Sequence, residues 1–383
     1  MMRRLIYSRK KNNFDFVSTW NTANLSTDST NSNQIKLPLF STGIYNFEVF
    51  WGDGNSDLIT TWNQTETTHT YASSGIYQIK IKGTIRGFSF NSVTDRLKIL
   101  SIESWGSLQQ TSGIGRWFLN CANLNLSSTA DILDLSTTNN FSEAFSGCTS
   151  ITTINRISEW DFSTIAFMGS SFLNSNFNTD ISNINVPLLQ NASSCFRGSP
   201  YNFPINWITP NLTNVNSMFR SPSSFNQNIG NLNVSNVTNF ESFMLGKAPA
   251  NFSASNLDAI YNGWTDRSLQ ASRIISFGSI KHTSASTEGK ALLTRTASIK
   301  TITNAVNNGS GLIRIFATAH GLSTGNKCFI SGVVGTTEAN GGWFVTVIDA
   351  NTVDLVGSTF TNAYTSGGTL RTGYGWTITD GGI

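Results

Sequence analysis

The sequence predicts a mainly β chain built from several domains, and three observations carry that expectation. Only 12% of the 383 residues are charged, against about 25% in ordinary soluble domains. Asn, Ser, Thr and Gly take the place of the missing charge, and they suit turns and solvated β faces better than helix surfaces. Between Gln34 and Phe90 apolar and polar residues alternate with a period of two, and from about Leu97 to Phe252 aromatic residues recur at near-constant intervals. At roughly 150 residues per domain the length suits two or three domains. Its 26 Phe can fill a substantial core with no disulfide framework.

Residues 1–33 read as a basic and polar arm, irregular or extended, with Arg3, Arg4, Arg9, Lys10 and Lys11 near its start. Such a cluster is either a solvated tail or a short anchor docking on a larger assembly. No apolar stretch of secretory-signal length follows these charges. No window approaches the ~18 apolar residues of a membrane span, so membrane insertion is not expected. A net charge of +3 is too small to argue for nucleic acid as a partner.

Residues 34–92 form the first domain. IKLPLF, YNFEVFW, YQIKIKG and IRGFSF read as strands, and WGDG at Trp51 to Gly54 as a tight hairpin turn. HTY at His69 to Tyr71 and SGIYQIKI follow. Asp53 is expected to shape the turn and His69 to cap a strand. The combination resembles the immunoglobulin-like β-sandwich of the polycystic-kidney-disease (PKD) type. That resemblance implies adhesion or spacing, with no chemistry.

Residues 97–296 read as a repeat region with a cap, the repeats themselves running to about Phe252. The landmarks Phe118, Phe145, Phe172, Phe196, Phe219 and Phe243 are separated by 27, 27, 24, 23 and 24 positions. Such a period predicts a solenoid with one coil per repeat. A short apolar strand is expected before the landmark (ILDLS, EWDFS, INVPLL, LNVSNVTNF), and a second aromatic such as Phe177, Tyr201 or Phe225 after it. Stacked coils should bury Phe on Phe and pair strands about 4.8 Å apart. Recurrent Asn would satisfy backbone groups at each turn. Cys121 and Cys148 each lie three residues after a landmark, so they should stack in neighbouring coils, where a disulfide is geometrically conceivable but reduced thiols are the expected state, with Cys195 in the same region also a packed thiol. WDFSTIAFMGSSF, NLTNVNSMFRSPSSFNQNIGN and NVSNVTNFESFMLGK resemble the BspA-type leucine-rich repeat of bacterial surface proteins. Phe stands at several of that family's Met or Leu positions, and the loose first repeats read as a cap. NLDAIYNGW suits a short helix.

Residues 297–371 read as an insert. TAHGLSTGN, ISGVVGTTEANGGWFVTVIDANT and DLVGSTF resemble a small β module recurrent in phage tail and particle proteins, named after a half-domain of the ubiquitin-activating enzyme. The resemblance implies a small β-barrel-like module of phage origin and no ubiquitin chemistry, with Cys328 a packed residue. Residues 372–383, ending GYGWTITDGGI, resemble the strand that closes the solenoid in the repeat family.

Candidate chemistry is sparse. His69, His282 and His320 lie in three different segments, and no metalloprotease, nucleophile-elbow, phosphate-loop or EF-hand pattern occurs. No catalytic, cofactor-binding or metal-ligating residue is expected, and no cofactor. The one route to an enzyme is a carboxylate pair at glycosidase spacing of about 5–9.5 Å, with Asp131 and Asp134, or Glu159 and Asp161, as candidates. Asp161 stands at the family's W-D position, where a loop hydrogen bond is the expected role. Trp105, Trp117, Trp160, Trp207 and Trp264 would either line a glycan platform or pack in the core, and packing is the usual fate of aromatics. Asn63-Gln64-Thr65 reads as a chance glycosylation sequon.

The resemblances together imply a bacteriophage virion structural protein of the tail-fibre or tail-tip type. It would be assembled in the host cytoplasm, released by lysis, exposed on the particle surface, and would attach to the host cell by non-catalytic binding. Implied partners are other virion proteins and a bacterial surface glycan or protein receptor. Phage fibres are often trimeric, which makes a homotrimer an expectation. Alternatives are a capsid-associated head-fibre or decoration protein, a bacterial cell-surface adhesin, and a glycan depolymerase. The sequence assigns no residues to a binding surface.

Overall fold

The computed structural model describes residues 15–91, 94–220 and 224–383; the basic cluster at residues 3–11 lies outside them. The chain is mainly β. It divides into two compact units, one of residues 1–165 with 174–179, the other of 166–173 with 180–383.

The first unit opens with a sheet of order β4-β3-β6-β1-β7. Its strands are β1 (Phe16–Asn21), β3 (Leu39–Phe50), β4 (Ser56–Ile59), β6 (Ile76–Phe88) and β7 (Ile99–Ser104), and β8 (Leu108–Gln109) adds in parallel to β6. A separate pair joins β2 (Gln34–Lys36) to β5 (Thr68–Thr70). Inward-facing Phe47, Val49, Ile79, Ile81 and Ile85 are buried. They alternate with exposed neighbours, the pattern that fixes which face is core.

Strand β1 corrects the expectation of an irregular arm over residues 1–33. It lies inside the sheet, antiparallel to both β6 and β7, with Phe16 and Trp20 fully buried. Its inward period is Phe16, Ser18, Trp20. The polar Ser18 at mid-face hid the alternation in the sequence, and its hydroxyl accepts a hydrogen bond from Trp20 Nε1 at 2.8 Å. Residues 30–36 are also ordered by a buried ion pair, Lys98 Nζ to Asp95 Oδ1 at 3.1 Å. Lys98 donates to the carbonyls of Thr30, Asn31 and Gln34, while Asp95 accepts from the backbone N–H of Thr30 and Lys36. A buried pair so fully bonded fixes the local chain path whatever its net energy.

The repeat region differs from the expected row of strands. Between β8 and the helix α1 (Ala254–Trp264) the described residues form turns, one 3-10 turn at Ile157–Glu159, and isolated parallel bridges. Two features explain this. Each turn carries two left-handed residues four positions apart: Arg116 and Asn120, Glu143 and Gly147, Ser170 and Asn174, Ser194 and Gly198, Ser242 and Gly246. Three of these turns, and the turn at Ser217, also carry an Asx turn. Asn140, Asn191, Asn214 and Asn239 accept, through Oδ1, the backbone N–H two residues on at 2.8–3.1 Å. A backbone bent so often leaves only about one residue per turn free for extended pairing, as in the bridge series Phe167, Asn191, Asn214, Asn239.

The left-handed positions are testable. Gly147 has φ +71°, and an added Cβ would collide with the Asn120 side-chain amide. Gly113 has φ +82° with open space around it. Gly113→Ala is expected to cost only the left-handed penalty, about 1–2 kcal/mol, and Gly147→Ala clearly more. Urea unfolding of both variants checks this; equal losses would remove the steric part of the argument.

Neighbouring turns are laced by a repeated rung. In the second unit the N–H groups of Met168, Ser170 and Phe172 donate to the carbonyls of Asn191, Ser193 and Cys195. Ala192, Ser194 and Phe196 donate in the same way to Asn214, Asn216 and Met218, and Val215, Ser217 and Phe219 to Asn239, Glu241 and Phe243. The aromatic rings follow this lacing. Phe118 and Phe145 stack at 5.5 Å and 4° in the first unit. In the second, Phe172–Phe196 and Phe196–Phe219 each stack at 5.9 Å, at 5° and 10°. Phe219–Phe243 meet edge-on at 79°. The rung explains the exception: Phe243 occupies the place of Cys195 and Met218, and Met244 stands where the next stacked ring would be. The landmark at Phe243 is therefore one residue out of register. A second column follows the first, with Tyr201 stacked on Phe196 at 4.1 Å and Phe225 on Phe219 at 3.9 Å.

Beyond the repeats, α1 is capped by Ser253, whose Oγ accepts from Asn256 N. The second helix α2 (Thr287–Thr294) was not signalled by the sequence. Strands β10 (Ser298–Thr301), β11 (Asn304–Asn307), β12 (Ile313–Phe316), β13 (Lys327–Val334), β14 (Gly341–Asp349), β15 (Thr352–Leu355) and β16 (Ser366–Gly373) form one antiparallel sheet. Its order is β10-β16-β13-β14-β15-β12-β11. It closes over its own core, including Ile315, Cys328, Ile330 and Val345. The chain then returns to pair β17 (Thr377–Thr379) in parallel with β9 (Ile274–Ser276).

Candidate binding surface

The residues first considered for chemistry are bound up in structure. Asp53 accepts from Asn55 N at 3.0 Å and meets His69 Nε2 at 2.8 Å. The His69 ring lies flat on Trp51 at 4.8 Å and edge-on to Tyr71. Burial acts to raise the pKa of Asp53, but the hydrogen bonds from His69 and Asn55 outweigh it and hold the group low. Asp53 thus shapes its turn, and His69 fastens that turn to the aromatic core.

Asp131 accepts from the backbone N–H of Trp105 and Gly106 and from the Ser104 hydroxyl at 2.7–3.0 Å. Asp134 accepts from Gln109 Nε2 and Ser136 N, and Asp161 from Ser163 N. Glu159 holds Arg156 through both oxygens, and that bonding lowers its pKa. Each acid is aimed at its own turn or the adjacent one.

His320 accepts from Leu322 N through Nδ1 at 3.0 Å, so Nε2 carries the proton and donates to the Asp349 carbonyl at 2.9 Å. His282 Nε2 faces Lys290 Nζ at 3.2 Å, and Lys290 also bonds Asp380. The four cysteines are free and fully buried, and Cys148 Sγ donates to the Phe118 carbonyl. Burial raises all four thiol pKa values, Cys328 to about 12. Among the described residues no group of three or more metal-ligating side chains converges.

The five tryptophans weighed as a glycan platform are buried in the core. The exposed indole is Trp62, which the sequence reading passed over; 44% of it is open to solvent. It sits in the loop after β4. Gln64 fixes that loop: its Oε1 accepts from Thr60 N and Thr61 N at 2.8 and 3.0 Å, and its Nε2 donates to the Leu58 carbonyl at 2.8 Å. Beside Trp62 lies a groove of about 560 Å³ floored by Leu37, Pro38 and Phe90, with Lys36, Ser41 and Asn63 on its rim. A signal was present in the sequence: TTWNQTET sets a tryptophan in a polar run with no apolar residue two positions away to share a buried face.

The second unit carries an open groove of about 590 Å³ along Trp207, Ile208 and Pro210. Ile208 is well exposed there. The cation lining it, Arg267, donates to the carbonyls of Gly230, Gly263 and Asn231, so its charge is spent on the turns themselves.

Residues 101–258 are similar to a family described as Mycoplasma protein of unknown function, DUF285. No curated protein and no solved structure matches the chain.

Proposed function

We propose that the chain is a bacteriophage virion protein of the tail-fibre or tail-tip type, attaching the particle to a bacterial surface glycan or protein receptor by binding without catalysis. The observation that carries the non-catalytic reading is the fate of the acids. Asp131, Asp134, Glu159 and Asp161 all spend oxygens on backbone N–H groups or side chains of the protein. A glycosidase needs one free nucleophile or base and one protonated acid facing a common cleft. A stack of turns whose rings fill the inside and whose outside is Asn, Ser and Thr suits display.

In this reading residues 34–92 are a PKD-type immunoglobulin-like spacer, 97–296 a BspA-type leucine-rich-repeat solenoid, and 297–371 a small barrel-like module closed off by the terminal strand. The phage assignment rests on the motif that runs from His320 through Gly321, Leu322, Thr324 and Gly325 to Asn351, which resembles the phage-tail module. Other virion proteins are the assembly partners, and a homotrimer is the proposed oligomer.

Labelled full chain mixed with a panel of bacteria is expected to sediment with the cells of at least one strain, and to leave purified capsule glycan unshortened. Shortened glycan, with activity lost in Glu159→Gln or Asp161→Asn, would replace attachment by depolymerisation. Failure to sediment with any strain would overturn attachment itself.

A further inference from the structure

We infer that the groove beside Trp62 is a carbohydrate-binding subsite, in which one pyranose ring of a glycan stacks its C–H face on the exposed indole. The inference rests on the attachment reading above and names its ligand class.

Four observations bear on it. First, exposure of Trp62 is anomalous within this chain, where Trp20, Trp51, Trp105, Trp117 and Trp264 are fully buried. Trp and Tyr are enriched where a partner is apolar on one side and polar on the other, which makes this indole the candidate contact. Second, the ring is held ready. Gln64 fixes the loop that carries it, accepting two backbone N–H bonds and donating one to a carbonyl. Binding therefore costs little ordering entropy at that loop.

Third, the polar groups at the rim are unspent. Among the described residues the Trp62 indole N–H, the Asn63 amide and the Lys36 ammonium have no hydrogen bond or ion pair within the chain. An indole N–H, an amide and an ammonium grouped on one rim match the alternating hydroxyls at the edge of a sugar, each able to donate or accept. Fourth, the charge suits a glycan better than a basic peptide or a lipid. Among the described lining residues Lys36 is the one ionisable side chain, with no carboxylate. The size of about 560 Å³ falls within the ~300–1,000 Å³ of small-ligand sites. A proline-rich peptide is the competing occupant, since its rings also stack on indole.

The test uses the full chain and saturation-transfer NMR with titration calorimetry, probing cellotetraose, chitotetraose, maltotetraose and, as the competitor, decaproline. At least one tetrasaccharide is expected to bind with transfer strongest at ring C–H protons. Trp62→Ala should weaken it by roughly tenfold or more, Trp62→Phe should retain part of the affinity, and Asn63→Ala should give a smaller loss. Trp62 lies outside the core, so the thermal midpoint of each variant should match the parent. Binding of decaproline alone, equal affinity in Trp62→Ala, or no binding of any tetrasaccharide would overturn the assignment. Cell sedimentation run in parallel separates the two readings. A chain that sediments with cells yet binds no tetrasaccharide keeps the attachment role and loses this groove. Failure in both assays removes both.

Discussion

Replacing Phe196 by alanine is expected to destabilise the second unit by about 3–5 kcal/mol, the range for deleting a fully buried phenylalanine. Phe196 is 0% exposed and is touched from several sides. Phe172 and Phe219 stack on it at 5.9 Å, Tyr201 lies on it at 4.1 Å, and Trp207 leans against it at 6.0 Å. In a stack of turns each unit touches only its neighbours, so stability sums over interfaces. A cavity at Phe196 weakens two interfaces at once. The rung from Phe196 N to Met218 O holds its backbone in place, so the surroundings cannot easily collapse into the void. Phe196→Leu keeps most of the volume and should cost less. Guanidinium unfolding followed by near-ultraviolet circular dichroism measures both, and a loss below about 1 kcal/mol for the alanine variant would contradict the stacked aromatic column of the second unit.

The second large effect is alkaline. Cys121 and Cys148 are fully buried in the first unit, and burial raises both thiol pKa values well above the ordinary one. The unfolded thiols ionise near 8.5. Above that pH the unfolded chain has released protons that the folded chain retains, so stability is complete below about pH 8.5 and falls as pH rises. Each thiol contributes about 1.4 kcal/mol per pH unit, and the pair about 2.7. Lys98 acts in the opposite sense, because burial lowers its pKa against the pull of Asp95. The difference in slope between the parent and the Cys121→Ala, Cys148→Ala variant cancels that term and reads the thiols alone. Above about pH 9, unfolding free energies under reducing conditions should converge by nearly that amount per unit. Parallel slopes would mean the thiols are not sealed from water. In the second unit Cys195 and Cys328 act likewise. Lys247, pushed down to about 8 by burial, offsets one of them.

The acids, rings and thiols were legible in the sequence to different depths. The spacing of the phenylalanines placed four of the five later landmarks on their rungs, because identical lacing repeats whenever turn length is nearly constant. It failed at Phe243, where the turn is one residue longer, and only the hydrogen-bond partner of Phe219 exposes the slip. Strands expected before each landmark became turns because Asn, Ser and Gly at fixed positions bend the backbone, a local cost that the apolar period alone does not register. The candidate site was legible only in part: the polar run around Trp62 set it apart from the other tryptophans, but its exposure depends on the fold around it.

The amino-acid sequence by itself determined the local vocabulary of this protein. It set where the backbone turns, through Asn, Gly and Ser at a regular interval. It also determined that phenylalanine would fill the interior, and that the chain has few charges to place. Those properties depend on neighbours within a few residues. Only the tertiary structure decided that Phe16–Asn21 lies inside a sheet, which acids are consumed by backbone N–H groups, and which tryptophan stays in water. Burial and bonding of a side chain are set by atoms distant in sequence. In β1 those atoms belong to strands that begin 60 or more residues later, and no local pattern carries that information.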